Sequence, residues 1–279
     1  MLELLQYKFF TNALLAATLT AISCGIIGTY IVARRMVFIG GGITHASFGG
    51  IGIAYFLGLN PILGAAVFSV FSALGINYFT LKGNIRQDSS IAIWWSLGMA
   101  IGIIFIAITP GYAPNLIGFL FGSILAVLPS DLIFMGIVSL TVIVIFLLFY
   151  RAIIMISFDE EFARARNLPV DLFNYLLIVL SALVIVSGIR VSGVILILSL
   201  LTLPQATANL FTKQFKSILF ASVLIGFIGM ISGLMISYYT NLPSGATIIL
   251  VLTAFFFIAK GLSMVLLHRA EHKTDVVTK

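Results

Sequence analysis

One histidine stands inside the apolar part of this sequence, and its setting decides what chemistry is open to it. His45 lies in the stretch Gly40-Gly41-Gly42-Ile43-Thr44-His45-Ala46-Ser47-Phe48-Gly49-Gly50, whereas His268 and His272 fall in a polar tail. A neutral imidazole facing a channel is a competent ligand for zinc, manganese or iron. The hydroxyls of Thr44 and Ser47 are candidate further members of such a site. Gly42, Ala46, Gly50 and Ala54 recur every four residues and form a small-residue ridge along which another helix can approach closely. Gly41, His45 and Gly49 form the neighbouring row. Two readings are open here. Either His45 lines a metal path, or the glycines serve packing alone and His45 hydrogen-bonds a neighbouring helix.

A second constellation is Ser157-Phe158-Asp159-Glu160-Glu161-Phe162-Ala163-Arg164-Ala165-Arg166-Asn167-Leu168-Pro169. It predicts a short isolated helix. Ser157 and Glu160 have capping-box spacing, and Asp159 is an alternative N-cap. Acids open the segment and Arg164 and Arg166 close it, as the helix dipole favours. Asn167 suits a left-handed stop, Pro169 forbids continuation, and Asp171 can cap the next span. Such a helix can dock in a groove on another protein, or lie as an amphipathic connector on a membrane surface. A third group, Ser199, Thr202, Pro204, Gln205, Thr207 and Asn209, shares one apolar run. Pro204 frees the carbonyl four residues earlier, so a kink is expected. Gln205 and Asn209, one turn apart, either line a wet path or hydrogen-bond between helices.

Several chemistries are excluded. There is no G-x-x-x-x-G-K-[ST] loop to cradle ATP phosphates, no H-E-x-x-H pair and no cysteine–histidine cluster of zinc-site spacing. Cys24, the single cysteine, reads as a small buried apolar residue. No Asp or Glu lies centrally in an apolar run, which weakens a proton- or sodium-coupled transporter and places the energy source on a partner.

The elements that must hold these residues follow from composition. Hydrophobic residues make up 61% of the 279 and charged residues only 9%, too few to solvate a globular surface. The apolar residues gather in runs near 10–33, 41–58, 61–81, 90–109, 131–150, 172–189, 191–211, 217–239 and 244–267. Each is long enough to cross a hydrocarbon layer of about 30 Å. A shorter run near 115–128 suits a re-entrant or outer-face segment. Residues 10–33 read as a retained first helix because Arg34-Arg35 follows in place of a cleavage site. Lys and Arg cluster at alternate junctions (34–35, 82–86, 151–166, 213–216 and 269–279) and are missing near 59–61, 109–130 and 240–245. With the basic junctions in the cytoplasm, the chain is an all-α polytopic membrane protein of about nine (eight to ten) spans. Its N-terminus is then outside and its C-terminus inside. Lys8 and Arg190 fit that rule less well, and Lys260 can snorkel. The net charge of +6 reflects these junctions and does not indicate nucleic acid.

These residues also resemble, over nearly the whole chain, the permeases of ATP-binding-cassette importers for zinc, manganese and iron. The resemblance rests on Arg34-Arg35-Met36-Val37-Phe38-Ile39-Gly40 with Thr44-His45-Ala46 and Gly49-Gly50, and on Phe158-Asp159-Glu160-Glu161-Phe162-Ala163. Val191-Ser192-Gly193-Val194 through Leu203-Pro204 and Ala208, and Leu242-Pro243-Ser244-Gly245-Ala246-Thr247, complete it. It implies a single permease domain over 1–279, with a cytoplasmic coupling helix near 158–168 and a short cytoplasmic tail near 268–279. The implied partners are a second copy, two cytoplasmic ATPase subunits that use the ATP, and an extracytoplasmic metal-binding protein, in the cell membrane. The divalent ion is cargo, no cofactor is held covalently, and the chain itself is not an enzyme. His45 would lie in the translocation path. Asp159, Glu160, Phe162, Ala163, Arg164 and Arg166 would carry the coupling. One departure is plain: the family's usual aspartate, four residues before the histidine, is Gly41 here. Imidazole without a carboxylate puts zinc first and manganese or ferrous iron next.

Overall fold

The computed structural model describes residues 6–110, 122 and 124–277, with side-chain surroundings for all of these but 125, 190–192 and 266–277. Among the described residues ten helices run in order: α1 (Lys8–Ala33), α2 (Val37–Phe56), α3 (Pro61–Leu81), α4 (Gln87–Ile108), α5 (Pro129–Phe158), α6 (Glu160–Ala165), α7 (Val170–Leu200), α8 (Leu203–Ala208), α9 (Phe215–Thr240) and α10 (Ser244–Val277). A 3-10 turn at Ile124–Ala126 precedes α5. The expected outer-face segment near 115–128 lies largely outside the described residues.

Local chemistry sets the boundaries. Asn60 Oδ1 accepts the Ile62 N–H at 2.9 Å while Pro61 opens α3. Pro129 opens α5, where the Asp131 carboxylate accepts the Leu128 N–H at 3.0 Å. Asn167 and Asn241 take left-handed backbone at φ 58 and 55 and stop α6 and α9. Hydroxyls inside the spans bond back to their own helix, as Thr18 to the Leu14 carbonyl, Thr29 to Gly25 and Ser181 to Leu177. Each of these hydroxyls is thereby satisfied without water in an apolar surround.

Among the described residues, eight helical segments are long and apolar enough to cross a membrane. Three form the middle of the bundle: α1, α2 and Val170–Ile189 of α7 are 72–78% buried, against 22–33% for the other five. The outer helices present apolar stripes outward, such as Leu63, Val67, Phe71, Leu74 and Tyr78 on α3, which suits lipid. Contacts fix relative directions. Asn12 reaches Val127, Ser139 reaches Leu19 and Arg34 reaches Ile156, so α1 and α5 run parallel. Thr20 lies beside Gly188, and Arg34 beside Glu160 and Asn174, so α7 runs against α1. The junctions at 34–35, 81–87 and 156–174 thus share one end, and Phe215 joins them by packing on Phe158 at 6.3 Å.

The expected span 191–211 takes a different form. Gly193, at φ 70 and ψ 168, reverses the chain inside α7, and Ile197 then packs back on Gly188. The turn expected near Arg190 therefore sits at Gly193, where only glycine adopts such a backbone freely. The apolar segment Gly193–Ala208 is shorter than a span and is interrupted at Leu201–Thr202. Pro204 opens α8 instead of kinking a long helix. The expected tail after 268 is also helical in backbone as far as Val277.

Candidate functional site

His45 stands on α2, a helix whose packing leaves it little freedom. A methyl on Gly50 would lie 2.0 Å from the Gly64 carbonyl oxygen of α3, and one on Gly52 would lie 2.5 Å from the Gly102 carbonyl oxygen of α4. Conversely, a methyl on Gly98 would lie 2.5 Å from the Ala46 backbone. The small-residue ridge is thus shared between α3 and α4. Within this frame the His45 ring stacks on Trp95 of α4, centroids 4.3 Å apart and planes within 3°. Its Nδ1 is buried and finds no hydrogen-bond partner among the described residues. The ring is only half-buried, beside the exposed Trp95.

Thr44 and Ser47 are fully buried, and their hydroxyls are engaged by the carbonyls of Gly40 and Thr44. They serve the helix and do not turn toward the imidazole. Gly41, one turn below His45, is different from Gly49, the other glycine of the row, where a methyl would lie 2.8 Å from the Phe68 ring. A methyl on Gly41 would meet only Leu198 at 3.9 Å, an ordinary contact. Leu198 belongs to the broken segment after Gly193, so that segment forms the wall opposite Gly41. Among the described residues no three His, Cys, Asp or Glu gather as a ligand set. Among the described residues the spans therefore present one imidazole, on a closely packed helix and stacked on Trp95.

Gln205 and Asn209 separate in role. Gln205 is fully buried, and its Nε2 donates to the Cys24 carbonyl at 2.9 Å and to the Leu200 carbonyl at 3.2 Å. Leu200 is the carbonyl that Pro204 leaves free, so the side chain of the next residue satisfies it. Gly28 of α1 makes room for that amide. Asn209 caps α8 and accepts from Lys213 at 3.4 Å.

At the basic end, α6 is a separate short helix. Asp159 is its N-cap, accepting the Phe162 N–H at 2.9 Å. Ser157 does not form the capping box: α5 continues through Phe158, and the Ser157 hydroxyl bonds to the Ile153 carbonyl at 2.6 Å. Ala163 is fully buried, while Phe158 and Phe162 are exposed and Arg166 lies over the Phe162 ring at 5.3 Å. Asp171 does not cap α7, whose N-cap is Pro169; it pairs with Arg164 at 2.5 Å and raises the guanidinium pKa further.

Sequence reasoning missed one group. Arg34, read as a topology marker and as part of a family motif but given no partner, pairs with Glu160 and donates to the Ile156 carbonyl at 3.0 Å, and Asn174 donates to the same Glu160 at 3.1 Å. Its signal was complementary charge at two span ends, which sequence alone could not bring together.

Comparison with known proteins agrees with this architecture. The ABC 3 transport family matches residues 6–263. The manganese transport system membrane protein MntC of Listeria monocytogenes is 38% identical over 256 residues, covering 92% of this chain and 91% of the relative. The manganese import system permease protein ScaB of Streptococcus parasanguinis is 34% identical, covering 91% of this chain and 90% of its own length. The structure of PsaBC from Streptococcus pneumoniae in complex with Fab superposes with TM-score 0.82 at 35% identity, covering 92% of this chain and 93% of that one. With eight membrane-length helices and a family match running from α1 into α10, the chain belongs to the ABC 3 transport family, as a multi-pass membrane permease.

Proposed function

We propose that the chain is the membrane-spanning permease of an ATP-driven importer of a divalent metal ion, with manganese as cargo. The observation that carries this is His45: an imidazole with a free Nδ1, on the most rigidly packed helix, in a chain of this family. Names of relatives favour manganese, while ligation by imidazole without carboxylate would favour zinc. In the proposed cycle an extracytoplasmic metal-binding protein hands over the ion. It passes His45 and leaves at the basic end, which faces the cytoplasm. Two copies of the chain supply one imidazole each. Cytoplasmic ATPase subunits, docked on the exposed Phe158 and Phe162 beside α6, hydrolyse the ATP and move that helix. Gly41 leaves the site short of a carboxylate, so the ion is held weakly and passes quickly.

The test is total cell-associated manganese, zinc and iron by mass spectrometry, with the chain present, deleted, or carrying His45→Ala, in metal-starved medium. A selective fall in manganese on deletion, with His45→Ala lowering uptake at least tenfold, is expected. A fall in zinc alone would replace the cargo, and no change in any metal would refute the importer. Uptake that persists without any ATPase subunit would instead indicate a channel or secondary transporter.

A further inference from the structure

We propose that Arg34 is a positioning residue that links α6 to the His45 helix, acting as a latch through which motion of α6 reaches the metal path. This rests on the reading that α6 is where the ATPase subunits engage. Arg34 caps α1 and begins a turn of minimal length: Arg35 is left-handed at φ 58, Met36 bonds back to the Ile31 carbonyl at 2.9 Å, and α2 starts at Val37. Any displacement of Arg34 is therefore delivered to the base of α2. His45 lies about 12 Å farther up that helix, and the backbone contacts of Gly50, Gly52 and Gly98 oblige α2 to move as a body.

The guanidinium of Arg34 gathers the ends of four helices. It belongs to the α1–α2 turn, donates to the Ile156 carbonyl in the last turn of α5, and pairs with Glu160 in the first turn of α6. Glu160 is held in turn by Asn174 of α7. The pair is half-buried, with side chains 21% and 28% exposed, unlike the surface pairs Arg86–Asp88 and Arg164–Asp171. Glu160 thus points into the bundle while Phe158 and Phe162 remain outward.

A second observation separates a latch from a static brace. Beside the pair lies a cavity of about 110 Å³ lined by Tyr30, Arg34, Asn77, Gln87 and Asn174. Arg34 Nε, Asn77 Nδ2 and Asn174 Oδ1 are buried there without protein partners among the described residues. Its volume would admit about three waters, and its lining is polar. If Glu160 withdraws with α6, Arg34 has a polar-lined space to turn into, so the bond can open and reclose without stranding a charge in an apolar surround.

The experiment uses the full permease with its ATPase subunits in proteoliposomes, supplied with the manganese-loaded binding protein, and reads manganese moved per ATP hydrolysed. Arg34→Gln is expected to leave subunit assembly and basal ATP hydrolysis unchanged and to lower ions per ATP at least tenfold. Arg34→Lys should recover to within threefold of the parent. Arg34→Gln combined with Glu160→Gln should lose no more than Arg34→Gln alone. Unchanged ions per ATP in Arg34→Gln, or losses that multiply in the double variant, would overturn the latch. Should Arg34→Gln fail to fold, Asn174→Ala serves: a threefold or larger fall in ions per ATP is expected, and no change overturns the proposal. Phe162→Asp is scored separately for ATPase binding, because retained binding would refute the docking reading on its own.

Discussion

Gly41 and Gly50 stand on the same helix, yet a methyl group should affect them in opposite directions. Replacing a helical glycine by alanine contributes up to about 1 kcal/mol through the backbone alone. At Gly41 the added carbon would meet Leu198 at 3.9 Å, so nothing opposes that gain. At Gly50 it would lie 2.0 Å from the Gly64 carbonyl oxygen, where ordinary contact begins at 3.4 Å. Restoring contact distance moves α2 and α3 apart by 3.4 minus 2.0, or 1.4 Å. The reciprocal contact, Gly64 against the Gly50 carbonyl, opens with it. Overpacking of this kind costs about 1–3 kcal/mol, and loss of the close backbone approach leaves the net effect destabilising despite the alanine gain. The sequence supplies its own reporter, since Cys24 is the single cysteine and is 1% exposed. A thiol-reactive dye in detergent will therefore report unfolding as Cys24 becomes accessible. Gly50→Ala should melt below the parent, by up to about 8 °C, and Gly41→Ala at or slightly above it. Equal melting of the two variants would refute the packing argument, because their intrinsic propensity change is the same.

Other perturbations test the path and its supports. Gly41→Asp places a carboxylate one turn from His45, in the position the family usually fills; an acid costs about 2.5–3.5 kcal/mol at a span centre and less at Gly41, the fifth residue of α2. The variant should melt lower without metal, regain stability on adding manganese, and release manganese more slowly; a melting temperature indifferent to manganese would count against His45 as a ligand. Gln205→Leu removes the donor that serves both the Cys24 and Leu200 carbonyls, at a cost of about 1–3 kcal/mol. The Cys24 dye should register it as a lower melting temperature, whereas Asn209→Leu should leave that temperature unchanged. Arg164→Ala removes only an exposed pair with Asp171 and should leave melting unaltered.

What could be read in advance divides along physical lines. Interactions between near neighbours were legible: Asp159 before α6 and Asn167 at its end act within a few residues of themselves. Span-length apolar runs were legible because the hydrocarbon thickness imposes the length. Gly193 was not distinguished from Gly188 by composition. What separates them is that one carries a positive φ and the other makes room for Ile197. That difference turns an apparent span into a reversal and a broken segment. Ser157 misled because a serine three residues before Glu160 satisfies the capping pattern equally well inside the last turn of α5. The Arg34–Glu160–Asn174 group joins positions whose nearness depends on how three helices pack, and no local rule reports that.

The broken segment and the bare Gly41 have a common consequence for how the path handles charge. An uninterrupted α7 would face α2 with backbone groups satisfied within the helix, leaving side chains as the sole polar contribution. Despite the reversal at Gly193 and the interruption at Leu201–Thr202, the carbonyls of residues 197–200 are all engaged, and the segment presents the apolar side chains of Leu198 and Leu201 to Gly40 and Gly41. On the proposed reading, the site therefore holds its ion through imidazole from His45, with no carboxylate gathered beside it among the described residues. Such a set binds less tightly than a carboxylate–imidazole pair, and its weakness suits a step whose outcome is release. Gly41→Asp then has a definite sign: tighter holding and slower transport, with the ratio of the two effects measuring how much of the natural rate depends on the missing charge.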